Sequence, residues 1–248
     1  MTTSERNRGA CITRVVAGAA LAVAVAGCTT TQQVKVSGPS DTYCPFLGAA
    51  TCAKLTPNAT PGRFGGGSGL AGLRYINPDA RWTQYSKVMI APVSFWGGDD
   101  TSLSQADQVA LTNYFSQALY DALSKKFTVV NTPGPGVMLI QVAIDDIGKA
   151  VPVLRSVSMV IPQARVLSTL KYAATGTYAF VGSAQAEVKI TDAVSGAILA
   201  AAVDKRVGGG NIKTAAQWQY GDAENAMTDW SNLLATRLAS WTSGTPPQ

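Results

Sequence analysis

An unbroken run of small apolar residues, Val15 to Ala26, stops at Gly27-Cys28 and gives way to Thr29-Thr30-Thr31. That break decides which part of the chain is free to fold. The run is 12 residues long, short of the ~20 that a membrane-spanning helix needs. Arg6, Arg8 and Arg14 precede it, and small residues close it. This is the layout of a secretory signal, so residues 1–27 are expected to be cut away and to take no part in the fold. No later apolar run approaches 18 residues, so a second span is not expected.

The tetrad Val25-Ala26-Gly27-Cys28 resembles the bacterial lipobox. The resemblance implies cleavage before Cys28 and attachment of a diacylglycerol and an N-acyl chain to it. Several acyl chains anchor a protein stably, where one binds only marginally. Thr29, rather than Asp, follows the cysteine, which resembles the pattern of outer-membrane sorting. The expected location is therefore the periplasmic face of a bacterial outer membrane, with the membrane itself as the first partner through the lipid anchor.

Without residues 1–27, with their three arginines and one glutamate, seventeen Lys/Arg stand against fourteen Asp/Glu, a net charge of +3. The basic residues are scattered, with no run longer than Lys125-Lys126 or Lys205-Arg206. No nucleic-acid footprint is read from them. The chain has no histidine. A Ser-His-Asp or Cys-His arrangement is therefore impossible, as is any His-ligated metal site. Of the four cysteines, Cys11 leaves with the signal and Cys28 takes lipid. Cys44 and Cys52 remain, in "YCPFLGAATC". In an exported chain this spacing reads as a disulfide loop, turned by Pro45 and Gly48. Two thiols without histidine leave a metal site short of ligands, so neither metal nor cofactor is expected.

Residues 28–72, rich in Thr, Ser, Gly and Pro, read as a lipidated flexible tether that carries this loop. Order is expected from residue 73, as a single α/β domain over 73–248. Lys87–Phe95 reads as a strand that ends near Pro92. Ser104 and Asp107 form a near capping box. Beyond them Leu111, Phe115, Ala118, Leu119, Ala122 and Leu123 make one apolar helical face, with Lys125-Lys126 in the last turn. "FTVV" (127–130) and "VMLIQVAIDDIG" (137–148) read as strands. Residues 176–190 and 197–207 flank the turn "TDAVSG" as a hairpin. A final helix carries Ala223, Met227, Trp230, Leu234, Leu238 and Trp241 on one face, with Asp222 as its cap. The expected architecture is a two-layer α/β sandwich of α+β character. It has a mixed sheet of four to five strands and two amphipathic helices on one face.

The stretches "LRYINPDARWTQYSKVMIAPVSFW", "FTVVNTPGPGVMLIQVAIDD" and "AAQWQYGDAENAMTDW" resemble the bacterial lipoproteins grouped as domain of unknown function 3313, over about residues 47–242. The resemblance implies an envelope location and brings no catalytic residues. The pattern strand, helix, "F-x-V-V" is also similar to TolB amino-terminal regions, the curli-secretion lipoprotein and transport-auxiliary lipoproteins. That likeness is one of fold.

Candidate chemistry is sparse. Asp99-Asp100 and Asp145-Asp146 are adjacent acids, read as solvated turn residues; neighbours on a strand point to opposite faces, so Asp145 and Asp146 are not expected to share a site. Ser168-Thr169-Leu170-Lys171 fits S-x-x-K but lacks its companion motifs. Trp230 and Trp241 belong to the apolar helical face, while Trp96 and Trp218 are left open as binding residues. Residues 151–171 lie within Ile147–Ala186, a stretch without any acid and broken by Pro152 and Pro162. This segment is the expected interaction surface, carried by Arg155, Val157, Met159, Ile161, Arg165 and Lys171. A core strand of period two is the competing reading of the same residues. The expected function is a non-catalytic interaction or accessory module of an envelope transport or assembly system, bound to an envelope protein or to another copy. The alternative is a periplasmic binding module for a small ligand, lipid or glycan.

Overall fold

The computed structural model describes residues 31–36, 43–57, 71–98, 101–150, 181–208 and 219–247. Nine strands and three helices make a mixed α/β fold. In chain order these are β1 (Thr31–Val34), the single turn α1 (Ala49–Cys52), β2 (Thr56–Pro57), β3 (Leu73–Ile76), β4 (Lys87–Ile90) and β5 (Ser94–Phe95). Next come α2 (Gln105–Leu123), β6 (Thr128–Val129), β7 (Val137–Gly148), β8 (Ser183–Asp192), β9 (Ile198–Gly208) and α3 (Gly221–Thr242). The strands lie in the order β2-β3-β9-β8-β7-β4-β6, with β1 also on β9 and β5 also on β7.

The long antiparallel meander β7-β8-β9 is the centre. Its strands read from sequence because each is a long apolar-rich or alternating run bounded by turn residues. Asp192 closes the β8–β9 turn by accepting from the backbone N–H groups of Val194 and Ser195 and from the Ser195 hydroxyl. Gly196 takes the left-handed φ of 71° that this turn requires. β4 runs parallel to both β7 and β6. Parallel neighbours need a crossover, and α2 supplies it between β4 and β6. Ser104 caps α2 by accepting from Asp107 N at 3.1 Å, the forward half of a capping box, and its hydroxyl donates to the Asp107 carboxylate at 2.8 Å.

α2 and α3 lie against each other and share one core with one face of the sheet. Leu111, Phe115, Leu119 and Leu123 meet Met227, Ala235 and Leu238 there, over Val88, Ile140, Ile144 and Ile190. A second, smaller core forms on the opposite face. The disulfide loop brings Cys44, Leu47 and Cys52, with Val36, onto Ala201 and Val203 of β9.

Four expectations are corrected. The sheet has nine strands, not four to five, because β1, β2 and β3 are short strands ahead of the first expected one and β5 is split from β4. The segment expected to be a tether over 28–72 supplies β1, β2 and the disulfide loop, held by β9, β3 and the second core. Its polar composition hid β1, whose partner β9 lies more than 170 residues on, and β2, which is only two residues long. Pro92 divides Lys87–Phe95 into β4 and β5 rather than ending it. Lys125 and Lys126 lie beyond α2, which ends at Leu123.

Candidate functional site

On the helix face, alternation places Ala186 of β8 and Ala200 and Ala202 of β9 beneath α3. On neighbouring β7 the same layer holds Val142 and Ile144. The alanines make a shallow floor. Above them stand the rings of Trp230 and Trp241, and neither drops to fill the gap. The Trp230 indole Nε1 donates to Asp204 at 2.7 Å, and its ring lies 5.9 Å from Phe115. Trp241 packs on buried Trp82, with ring centroids 4.8 Å apart. Each ring is held from the side, so a half-open cavity of about 130 Å³ remains between helix and sheet. Its exposed wall is almost wholly apolar.

Asp204, buried on β9, fixes one end of this space. It accepts from Trp230, from Gly72 N at 2.9 Å and from Arg206 Nε at 3.2 Å, and Gln33 donates to it as well. Arg206 also reaches Asp229 of α3 at 3.4 Å. One carboxylate thus ties β1, residue 72 and α3 to β9.

On the opposite face lies a buried acid pair. Glu187 is fully buried. Its carboxylate accepts the N–H groups of Phe46 and Leu47, at 2.9 and 2.7 Å, from inside the disulfide loop closed by Cys44–Cys52. Asp145 lies beside it, also buried. Burial pushes the Asp145 carboxyl up to about 10, reinforced by the hydrogen bond to Glu187 and by its charge. Asp145 therefore stays protonated at neutral pH. Asp145 Oδ1 is the buried side-chain atom without a hydrogen-bond partner among the described residues. The β7–β8 register shifts between Ile144 and Asp146. This bulge sets two residues opposite one, so Asp145 meets Gln185 while Asp146 pairs with Lys205 at 3.2 Å. The expectation of solvated turn residues on opposite faces is corrected for this pair, because a bulge breaks the alternation on which it rested.

Other sequence-predicted residues fall as follows. Cys44 and Cys52 form the disulfide. Trp96 is 47% exposed and stands edge-on to Phe46, away from the cavity. Trp230 and Trp241 pack on the main core and also roof the cavity, a role that helical periodicity alone does not reveal. Asp222 does not cap α3, because the helix already begins at Gly221 with Tyr220 in the cap position; buried within the first turn, it accepts from Gly182 N at 2.8 Å. Cys28, Asp99, Asp100, Trp218, the Ser168/Lys171 pair and Arg155, Val157, Met159, Ile161, Arg165 and Lys171 lie outside the described residues. Among the described residues no group of three potential metal ligands occurs, and no helix is long and apolar enough to cross a membrane.

The family model described as protein of unknown function DUF3313 matches residues 65–234. A search of curated proteins finds no match. Among solved structures, the PelC dodecamer from Paraburkholderia phytofirmans is 9% identical and covers 65% of this chain and 94% of its own, with a TM-score of 0.37. A Xanthomonas campestris protein of family DUF330 is 11% identical and covers 69% and 95%, with a TM-score of 0.38. Both scores are too low to carry an inference to this chain.

Proposed function

The chain belongs to the DUF3313 family of proteins of unknown function, and from that premise we propose that it is a lipid-anchored, periplasm-facing binding module for a small apolar ligand. The observation that carries this reading is the cavity between α3 and the alanine floor. A closed apolar void lowers stability by about 24 cal/mol per Å³; this space is half-open, so leaving its 130 Å³ unfilled costs less than the ~3 kcal/mol a closed void of that size would. Larger side chains at 186, 200 or 202 would recover that free energy. Instead, two tryptophans are held away from the floor by Asp204 and Trp82, and the space is kept ready-formed. Cavities near 150 Å³ accommodate a benzene-sized group. The role is non-catalytic: the chain has no histidine, and the cavity lining offers no paired acid and base. Lipidation at Cys28 would hold the domain against the outer membrane, where apolar molecules concentrate.

The test uses the exported chain with Cys28→Ser, which carries no acyl group to compete for the cavity. Octanol is titrated while tryptophan emission is followed, in this protein and in its Ala202→Leu variant. The reading predicts a saturable change that the variant loses, together with a rise in the variant's own stability as the void fills. A linear response, or the same response in both proteins, contradicts it.

A further inference from the structure

We propose that the end of the sheet where β1 begins is a membrane-contact surface, and that its partner is a phospholipid headgroup layer bearing anionic lipid. This inference rests on the lipid-anchored reading and adds how the domain sits. Thr31 opens β1 opposite Gly208, the last residue of β9. Gly148 ends β7 opposite Ser183, which begins β8 and pairs with Val207. Both long helices start here as well. Tyr220, just before α3, donates to Asp107 in the first turn of α2 at 3.2 Å, and Asp222 of α3 accepts from Gly182 N. Cys28 precedes Thr31 by three residues. Three residues reach at most about 11 Å in any conformation. An acyl anchor at Cys28 therefore holds Thr31 within about that distance of the bilayer surface. The β8–β9 turn lies the length of β8 away, ten residues or about 30 Å, so the opposite end cannot take its place.

Charge at this end suits anionic headgroups. Lys149 is exposed just after β7. Residues 151–180 and 209–218 have both their ends fixed here, and by sequence they add Arg155, Arg165, Lys171 and Lys213 with no acid. Against these five cations stand Asp99 and Asp100, shortly before Ser102, whose carbonyl accepts from Lys149 at 3.1 Å. The other acids here are engaged within the protein. Asp146 pairs with Lys205 and Asp229 with Arg206. Asp107 accepts from Ser104 and Tyr220, and Asp222 from Gly182. Glu224 is engaged too. Each cation near an anionic surface adds an attraction that salt screens. Lys87, Lys125 and Lys126 form a second basic patch at the opposite end, which the three-residue reach keeps from the membrane.

The acylated protein is placed in vesicles of mixed phosphatidylethanolamine and phosphatidylglycerol that hold a rhodamine-labelled acceptor lipid. A donor fluorophore is attached at Ser102→Cys or at Val194→Cys. Ser102 is exposed beside Lys149, and Val194 is exposed in the β8–β9 turn. Energy transfer should be several-fold stronger from position 102 than from position 194. A second pair of variants adds about twenty Gly/Ser residues between Thr30 and Thr31, a flexible linker that lets either end reach the surface. Position 102 should remain the nearer in these vesicles, and that preference should fall when phosphatidylcholine replaces the mixture. Transfer from position 194 equal to or above that from 102 in the parent chain overturns the contact surface. Loss of the preference in the lengthened chain, or a preference that phosphatidylcholine supports equally, overturns the anionic-lipid partner. Protein that does not float with the vesicles lacks the anchor, which overturns the lipid-anchored reading and this inference with it, while octanol binding is judged by its own titration. Melting curves of the labelled variants confirm that they are folded before the transfer is read.

Discussion

Replacing Asp145 with asparagine should flatten the dependence of stability on pH. Asp145 titrates near its ordinary carboxylate value when unfolded and at about 10 when folded. Between those limits the folded chain holds one proton that the unfolded chain has released. Stability therefore falls as pH rises, by about 1.4 kcal/mol per pH unit for one proton. From pH 6 to pH 8 the loss is about 2.7 kcal/mol, because the folded value lies well above that range. The background is clean. The chain has no histidine. Asp192 is held below the usual carboxylate value, first by the Ser195 backbone N–H, and titrates below the window. Tyr85 and Tyr220 are pushed above the ordinary tyrosine value, first by burial, and titrate above it. An asparagine amide keeps the shape without a titrating proton. Urea unfolding of the Cys28→Ser protein at pH 6, 7 and 8 reads the effect. With a slope of about 3 kcal/mol/M, the midpoint should fall by about 0.9 M across that range. The Asp145→Asn variant should show no such fall. Equal slopes in the two proteins would refute the assignment of a buried, protonated Asp145.

The disulfide closes a ring of nine residues between Cys44 and Cys52. Opening it by Cys44→Ser/Cys52→Ser should lower stability by about 2.5 kcal/mol through loop entropy, read from the urea midpoint at fixed pH; a change below about 1 kcal/mol would contradict that account. The same variant should loosen the loop that Glu187 grips, seen as faster hydrogen exchange at Phe46 and Leu47, with β7 unchanged. Cys28→Ser should move the protein from the membrane pellet to the soluble periplasmic fraction on cell fractionation, and retention in the pellet would contradict lipid anchoring at that residue.

The elements most legible in the sequence were those whose signals are local and long. Val137–Gly148 is a long apolar-rich run between turn signals, and the strand has those bounds. The Ser104 cap and the apolar faces of both long helices followed from spacings of three and four. What escaped were features made by distant pairing. Thr31–Val34 is polar and becomes a strand only because β9 offers it an edge. The bulge at Asp145 has no sequence mark. Glu187 and Asp204 look like ordinary exposed strand acids until the loop at Phe46 and the indole of Trp230 cover them. The cavity itself needs Ala200 and Ala202 to lie beneath Trp230, a coincidence of strand register and helix rotation. The alanine-rich arm "AILAAAV" with two tryptophans in the last helix was the available signal.

The central claim is that a small apolar molecule enters the space under α3. Nuclear Overhauser effects between octanol and the Cys28→Ser protein test it directly. The account predicts contacts from the octanol chain to the methyl groups of Ala186, Ala200 and Ala202 and to the rings of Trp230 and Trp241, all lost in Ala202→Leu. Contacts confined to the outer surface, or unchanged in that variant, would contradict it.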